Sequence, residues 1–185
     1  VEPPTDIPPA RDLSTEANRK LVLDGVLGDD ECADPGDLAA LASLIFRKTE
    51  SQHDLVSRFP LAKFKTAKPN LGHRLLVALM AEHAISYVLS LNFDLAVQNA
   101  SSELGVPIEI VDESGQPIPA SSTLIHLHGN ANSPSESLVL RQETIDADWK
   151  GSWEDVVAHQ ILAAPNVLFI GLGSAVPVLS ETITM

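Results

Sequence analysis

Three short stretches of this chain set chemically active side chains beside small residues that let a ligand come close. Asn92-Phe93-Asp94 offers an amide and a carboxylate two positions apart, and His128-Gly129 an imidazole next to a glycine. Gly171-Leu172-Gly173-Ser174 offers backbone amides barely screened by side chains, with one hydroxyl. An imidazole exchanges a proton near neutral pH. An amide donates and accepts at once, so Asn92 can fix a ribose hydroxyl or an attacking water while Asp94 orients the same group. Gly173 and Ser174 allow close approach of phosphate or ribose oxygens. As a set, these groups suit a nucleotide with a cleavable ribose bond. Singly, each has a plainer reading: Asp94 as the cap of the helix that follows it, and His128 as a loop histidine satisfied by its neighbours.

The other candidates carry less. His73 and His83 do not have the spacing of four that lets two helix residues share one metal. His126 is expected to be structural and turned away from His128, and His53 and His159 belong to no constellation. Trp149 and Trp153 are expected to pack a helix.

The three stretches follow apolar runs at residues 87–91, 123–127 and 167–170, each read as a strand. Further strands are expected at 106–111 and 137–140. Helices are expected from Ser14, over 38–46, over 71–84, after Asp94 to residue 104, and over 153–163; residues 55–65 are less regular. In the 71–84 helix, Leu71, Leu75, Ala78, Leu79 and Glu82 follow a helical progression and mark its expected packing face. Four prolines within residues 1–11 make that segment a loop or arm, and the acidic 28–36 segment a solvated turn. Strands alternating with helices predict an α/β fold with a Rossmann-like, mostly parallel sheet and flanking helices. In such a sheet ligands bind beyond the carboxyl ends of the strands, so the three endings converge on one edge.

A length of 185 residues fits a single domain, residues 1–185. Twelve basic against 25 acidic residues, a formal charge of −13, disfavour nucleic acid and anionic membrane surfaces, which are bound through Lys and Arg. No apolar run approaches the length of a spanning helix, so no membrane partner is expected. Cys32 is the only cysteine, which excludes an intrachain disulfide and a thiolate metal site. No secretory signature opens the sequence, and the cytoplasm is the expected compartment.

These motifs together resemble the sirtuin family. Ser90-Leu91-Asn92-Phe93-Asp94 is similar to the family's strand end, in which an Asn, an apolar residue and an Asp contact NAD. Ile125-His126-Leu127-His128-Gly129 resembles its His-Gly motif, and Leu168-Phe169-Ile170-Gly171-Leu172-Gly173-Ser174 its late strand and small-residue loop. Pro69-Asn70-Leu71-Gly72-His73 resembles the helix that precedes the Asn-x-Asp strand. The motifs run in family order over residues 69–184, so residues 69–185 read as the motif-bearing core and 1–68 as a variable helical part.

Two departures shape what the resemblance implies. Protein-deacylating members usually hold a structural zinc on four cysteines after the His-Gly motif; residues 130–166 contain no cysteine, so the chain resembles the zinc-free prokaryotic branch, many of whose members hydrolyse NAD in antiphage defence. The family also opens with a strand and a Gly-Ala-Gly-x-Ser loop, which is missing here, while Val1-Glu2-Pro3-Pro4-Thr5-Asp6-Ile7-Pro8 resembles what directly follows that loop. The expectation is a chain that lacks its first strand. The implied activity is hydrolysis of NAD to nicotinamide and ADP-ribose, with His128 as general base, Asn92 positioning water or ribose and Asp94 supporting it. Asn92, Asp94, Gly129, Gly171, Gly173 and Ser174 would contact the dinucleotide. A zinc-free NAD-dependent deacylase and a non-catalytic NAD or ADP-ribose sensor are the alternatives. A homo-oligomer or a fused effector or sensor domain is compatible with each.

Overall fold

The computed structural model describes residues 7–113, 115–120, 122–148, 153, 157 and 164–171. Helices α1 (Ala10–Leu23), α2 (Leu38–Thr49), α3 (His53–Val56), α4 (Leu61–Lys65) and α5 (Leu71–Ala81) precede strand β1 (Tyr87–Ser90). Helix α6 (Ala96–Leu104), strands β2 (Glu109–Val111) and β3 (Thr123–His126), and helix α7 (Gln142–Asp148) follow.

The three strands form an open, all-parallel sheet in the order β1-β3-β2. Tyr87 lies opposite Thr123 and Ser90 opposite His126, while Glu109 pairs with Thr123 and Val111 with Ile125. The central strand β3 is buried at all its positions, as a parallel strand covered on both faces should be. Because every strand runs the same way, their carboxyl ends share one edge. This is the expected Rossmann-like α/β arrangement.

Packing falls into two groups. One sheet face gathers Val111, Ile125 and Leu127 beneath Trp153 and Val157, flanked by Tyr87, Leu89 and Leu91. Those two residues are the described part of the helix expected over 153–163. The second group joins the helical half to the segment after β3: Leu13, Ala17 and Leu21 of α1 and Leu41, Ala42 and Ile45 of α2 share a core with Leu95, Ala131, Leu138 and Leu140. Gln52, only 3% exposed, bridges the halves by donating from Nε2 to the carbonyls of Ser135 (2.6 Å) and Leu138 (2.8 Å).

Local signals explain most helix ends. The Asp37 side chain accepts the Ala40 amide at 2.9 Å and starts α2. Asn70 and His73 form a reciprocal capping pair, each side chain taking the other's amide hydrogen at 3.1 Å. That is the role of His73. Gly105, at φ +65°, ends α6 in the left-handed conformation that glycine adopts without steric cost.

Several elements differ from the expectation. Helix α1 starts at Ala10 with Pro9 at its cap position, because proline's fixed φ suits a helix entrance; Ser14 is buried inside α1. Helix α5 turns Val77 and Met80 inward and leaves Leu71, Leu75 and Leu79 at 69%, 57% and 36% exposure. Every side chain from 75 to 81 is apolar, so periodicity alone offers two faces and packing chooses between them. Residues 137–140 form no strand. Ser135–Ser137 make a helical turn, and the next backbone groups are spent elsewhere: the Leu138 carbonyl on Gln52, the Val139 amide on the His128 carbonyl at 3.1 Å. Residues 167–170 are not a strand either and stand exposed, Leu168 at 80% and Ile170 at 76%. An apolar run announces a need for burial but does not name its partner, and none of β1, β2 and β3 pairs with this one. Among the described residues, no helix is long and apolar enough to cross a membrane.

Candidate active site at the strand ends

The loop leaving β1 is held at almost every residue. The Asn92 amide donates to Ser90 Oγ (3.2 Å), the Phe93 carbonyl accepts from Ala131 (2.7 Å), and the Leu95 amide donates to the Phe64 carbonyl (3.0 Å). Phe93 packs against the helical core. These ties leave the Asn92 side chain exposed at the sheet edge. Asp94 Oδ1 accepts the amide of Ala96, the first residue of α6, at 2.9 Å; it does so from the position before Leu95, which holds the cap position without a side-chain bond. That amide of α6 is thereby already taken by the protein.

On the neighbouring strand, the Leu127 amide reaches the Ser90 carbonyl at 3.1 Å and carries the β1–β3 ladder one residue past the strand end. The register that pairs Ser90 with His126 therefore brings Asn92 and His128, each two residues further on, to the same edge. His128 is half-buried. Desolvation alone pulls its pKa from the ordinary histidine value to about 4, so the ring is neutral at pH 7 and one of its nitrogens carries a lone pair. Gly129, buried at φ +76°, serves the turn: a Cβ there would meet Leu138 Cδ2 at 3.0 Å and Ser133 Oγ at 3.2 Å. Its need for glycine arises from backbone conformation and packing.

His126 holds a different place. Strand alternation puts residues two apart on one face, and β3 ends at His126, so the two rings are parted by the turn that begins beyond it. The His126 side chain is fully enclosed. Its Nδ1 lies 3.1 Å from the Asn92 carbonyl oxygen and its Nε2 2.8 Å from Gln98 Nε2 on α6. Burial lowers its pKa, against raising contributions from the Asn92 carbonyl and from Asp112 and Asp94.

The sheet edge also receives two polar residues outside the three sequence motifs. Asp112, directly after β2, accepts from Asn130 Nδ2 at 2.9 Å through Oδ2. Asn130 is 3% exposed, and its Oδ1 accepts the Asn132 amide at 2.8 Å. The sequence signal for both is the kind that marks Asp94: a polar residue within four positions of an apolar strand's end. Gly171 is exposed at φ +70°, and among the described residues none would crowd a side chain there. Gly173, Ser174, Trp149 and His159 lie outside the described residues.

An open groove of about 440 Å³ runs between α1 and residues 58–63, lined by Asp12, Glu16, Lys20 and Arg58 among others; none of the strand-end residues lines it. Among the described residues, no three His, Cys, Asp or Glu side chains gather as a metal site. No protein-family model and no curated protein matches the chain.

Proposed function

We propose that this chain is a sirtuin-like NAD hydrolase that releases nicotinamide and ADP-ribose. The observation that carries the reading is the placement of Asn92-Phe93-Asp94 and His128-Gly129 just beyond the carboxyl ends of two adjacent parallel strands, β1 and β3. An amide, a carboxylate and a neutral imidazole at the carboxyl edge of such a sheet suit cleavage of a glycosidic bond in a nucleotide.

In this reading the bond from ribose C1′ to the nicotinamide nitrogen breaks, and nicotinamide leaves with the bonding pair. Water adds to C1′ and gives its proton to His128. Asn92 orients that water or the adjacent ribose hydroxyls. One Asp94 oxygen is committed to the Ala96 amide at the start of α6, and the carboxylate charge stabilises the cationic sugar as the bond opens. An isolated imidazole at about 4 is a weak base; the negative charge of a bound dinucleotide raises it toward the working range. With a net charge of −13, the chain must hold that dinucleotide through local amides against its overall field.

The test is incubation of the full chain with NAD alone, with nicotinamide and ADP-ribose followed by chromatography. The expected result is stoichiometric release, abolished in Asn92→Ala and His128→Ala variants that remain folded. Undiminished release by His128→Ala would refute the assigned base. Release only when an acyl-lysine peptide is added would identify a deacylase, and binding without release a sensor.

A further inference from the structure

We infer that His126 is a positioning residue of this site, whose Nδ1–H holds the Asn92 backbone so that the Asn92 side chain meets its substrate. The inference rests on the NAD-cleaving reading above and assigns a role to a residue outside that mechanism.

The hydrogen bonds settle the state of the ring. The Asn92 carbonyl has no hydrogen to give, so the 3.1 Å contact requires the proton on Nδ1. In a neutral ring Nε2 then carries only a lone pair, and Gln98 Nε2–H donates to it at 2.8 Å. Turning the Gln98 amide over would place Oε1 against Nε2 and demand a second ring proton, a buried cation. Gln98 Oε1 is buried without a partner among the described residues, a cost that the bond to the ring offsets. The groups facing His126 are therefore Gln98 from α6, the Asn92 carbonyl from the loop after β1, and the carboxylates of Asp94 and Asp112 at longer range.

The consequence is mechanical. Asn92 has left the β ladder, and among the described residues the bond from His126 is the one made to its carbonyl, at the point where its side chain must be aimed. His126, anchored in the central strand and braced by α6, supplies it. The carbonyl and the side chain share a Cα, so fixing one limits the directions open to the other. A misplacement of about 1 Å costs about a hundredfold in rate.

Three substitutions separate positioning from simple support. Asparagine places an amide N–H near the position of histidine Nδ1, glutamine places one near Nε2, and leucine places none. His126→Asn is expected to keep turnover of NAD within about threefold of the parent, and His126→Gln and His126→Leu to lose about a hundredfold in kcat with KM little changed. Melting temperatures should fall in all three, since each replacement disturbs a buried, fully bonded ring. Turnover that tracks melting temperature across the three, or full turnover in His126→Leu, would overturn the positioning role. Absence of NAD cleavage by the parent chain would overturn the reading beneath it as well, and the two failures are told apart by that control.

Discussion

Replacing His128 by glutamine should flatten the acid side of this protein's stability curve. In the unfolded chain the ring titrates near 6.5, in the folded one at about 4. Between these values the unfolded state binds more protons, so stability is complete above the unfolded value and is lost as pH falls toward the folded one. From about pH 7.5 to 5.5 the loss is about 1.3 kcal/mol, growing to about 3 kcal/mol below both values. For a chain of this size that first step lowers the melting temperature by about 3–5 °C. Glu16, Glu31, Glu136 and Glu143 have lowered pKa values; their contributions are lost mainly below 4.5, outside the window. The lowered His126 acts in the same direction as His128 but is shared by both proteins. The assay is urea unfolding of parent and His128→Gln at the two pH values. The parent should lose about 1.3 kcal/mol more than the variant. Equal losses would show that the ring is not desolvated, and with it the account of a neutral base in a covered site would fail.

Two other outcomes follow from the geometry. Asp94→Ala should cost about 1 kcal/mol through the lost bond to the first amide of α6, whereas Asp94→Asn, which keeps an accepting oxygen, should stay within about 0.5 kcal/mol of the parent; both remove the carboxylate charge, so nicotinamide release, measured beside thermal unfolding, should fall in both. On α5, Leu75→Lys should change stability by no more than about 0.5 kcal/mol, while Met80→Ala should cost about 2–5 kcal/mol, a contrast that denaturant unfolding reads directly.

The parts of the fold legible in the sequence were those written locally. Tyr87-Val88-Leu89 and Leu124-Ile125 are short apolar runs closed by polar or small residues, and both became parallel strands. Asp37, Asn70 and Gly105 mark helix ends by residue type. What was not legible depends on partners distant in the chain. The outward leucines of α5 reflect a choice of face made by its neighbours. Residues 138–140 lack a ladder because Gln52 and His128 take their backbone groups. The site divides the same way. Asn92, Asp94 and His128 announce themselves by following strands, whereas the importance of His126 depends on Gln98 and the Asn92 carbonyl, 28 and 34 positions away. The strand order β1-β3-β2 has no sequence signature at all.

The bridge from Gln52 to the carbonyls of Ser135 and Leu138, within a core shared by α1, α2 and residues 131–140, bears on how ligand binding would register across the molecule. The turn that carries His128 and Gly129 cannot loosen without disturbing packing that reaches back to Leu13. A ligand bound at the strand ends therefore stabilises the helical half along with the sheet. At a concentration of about 100 times its Kd, such a ligand adds about 2.7 kcal/mol to the whole unit. Amide exchange in α1 and α2, far along the chain from any contact with the ligand, should slow together with exchange in β3. The helices before residue 68 would thus report such binding at a distance, and removing them would take away the floor on which the turn rests.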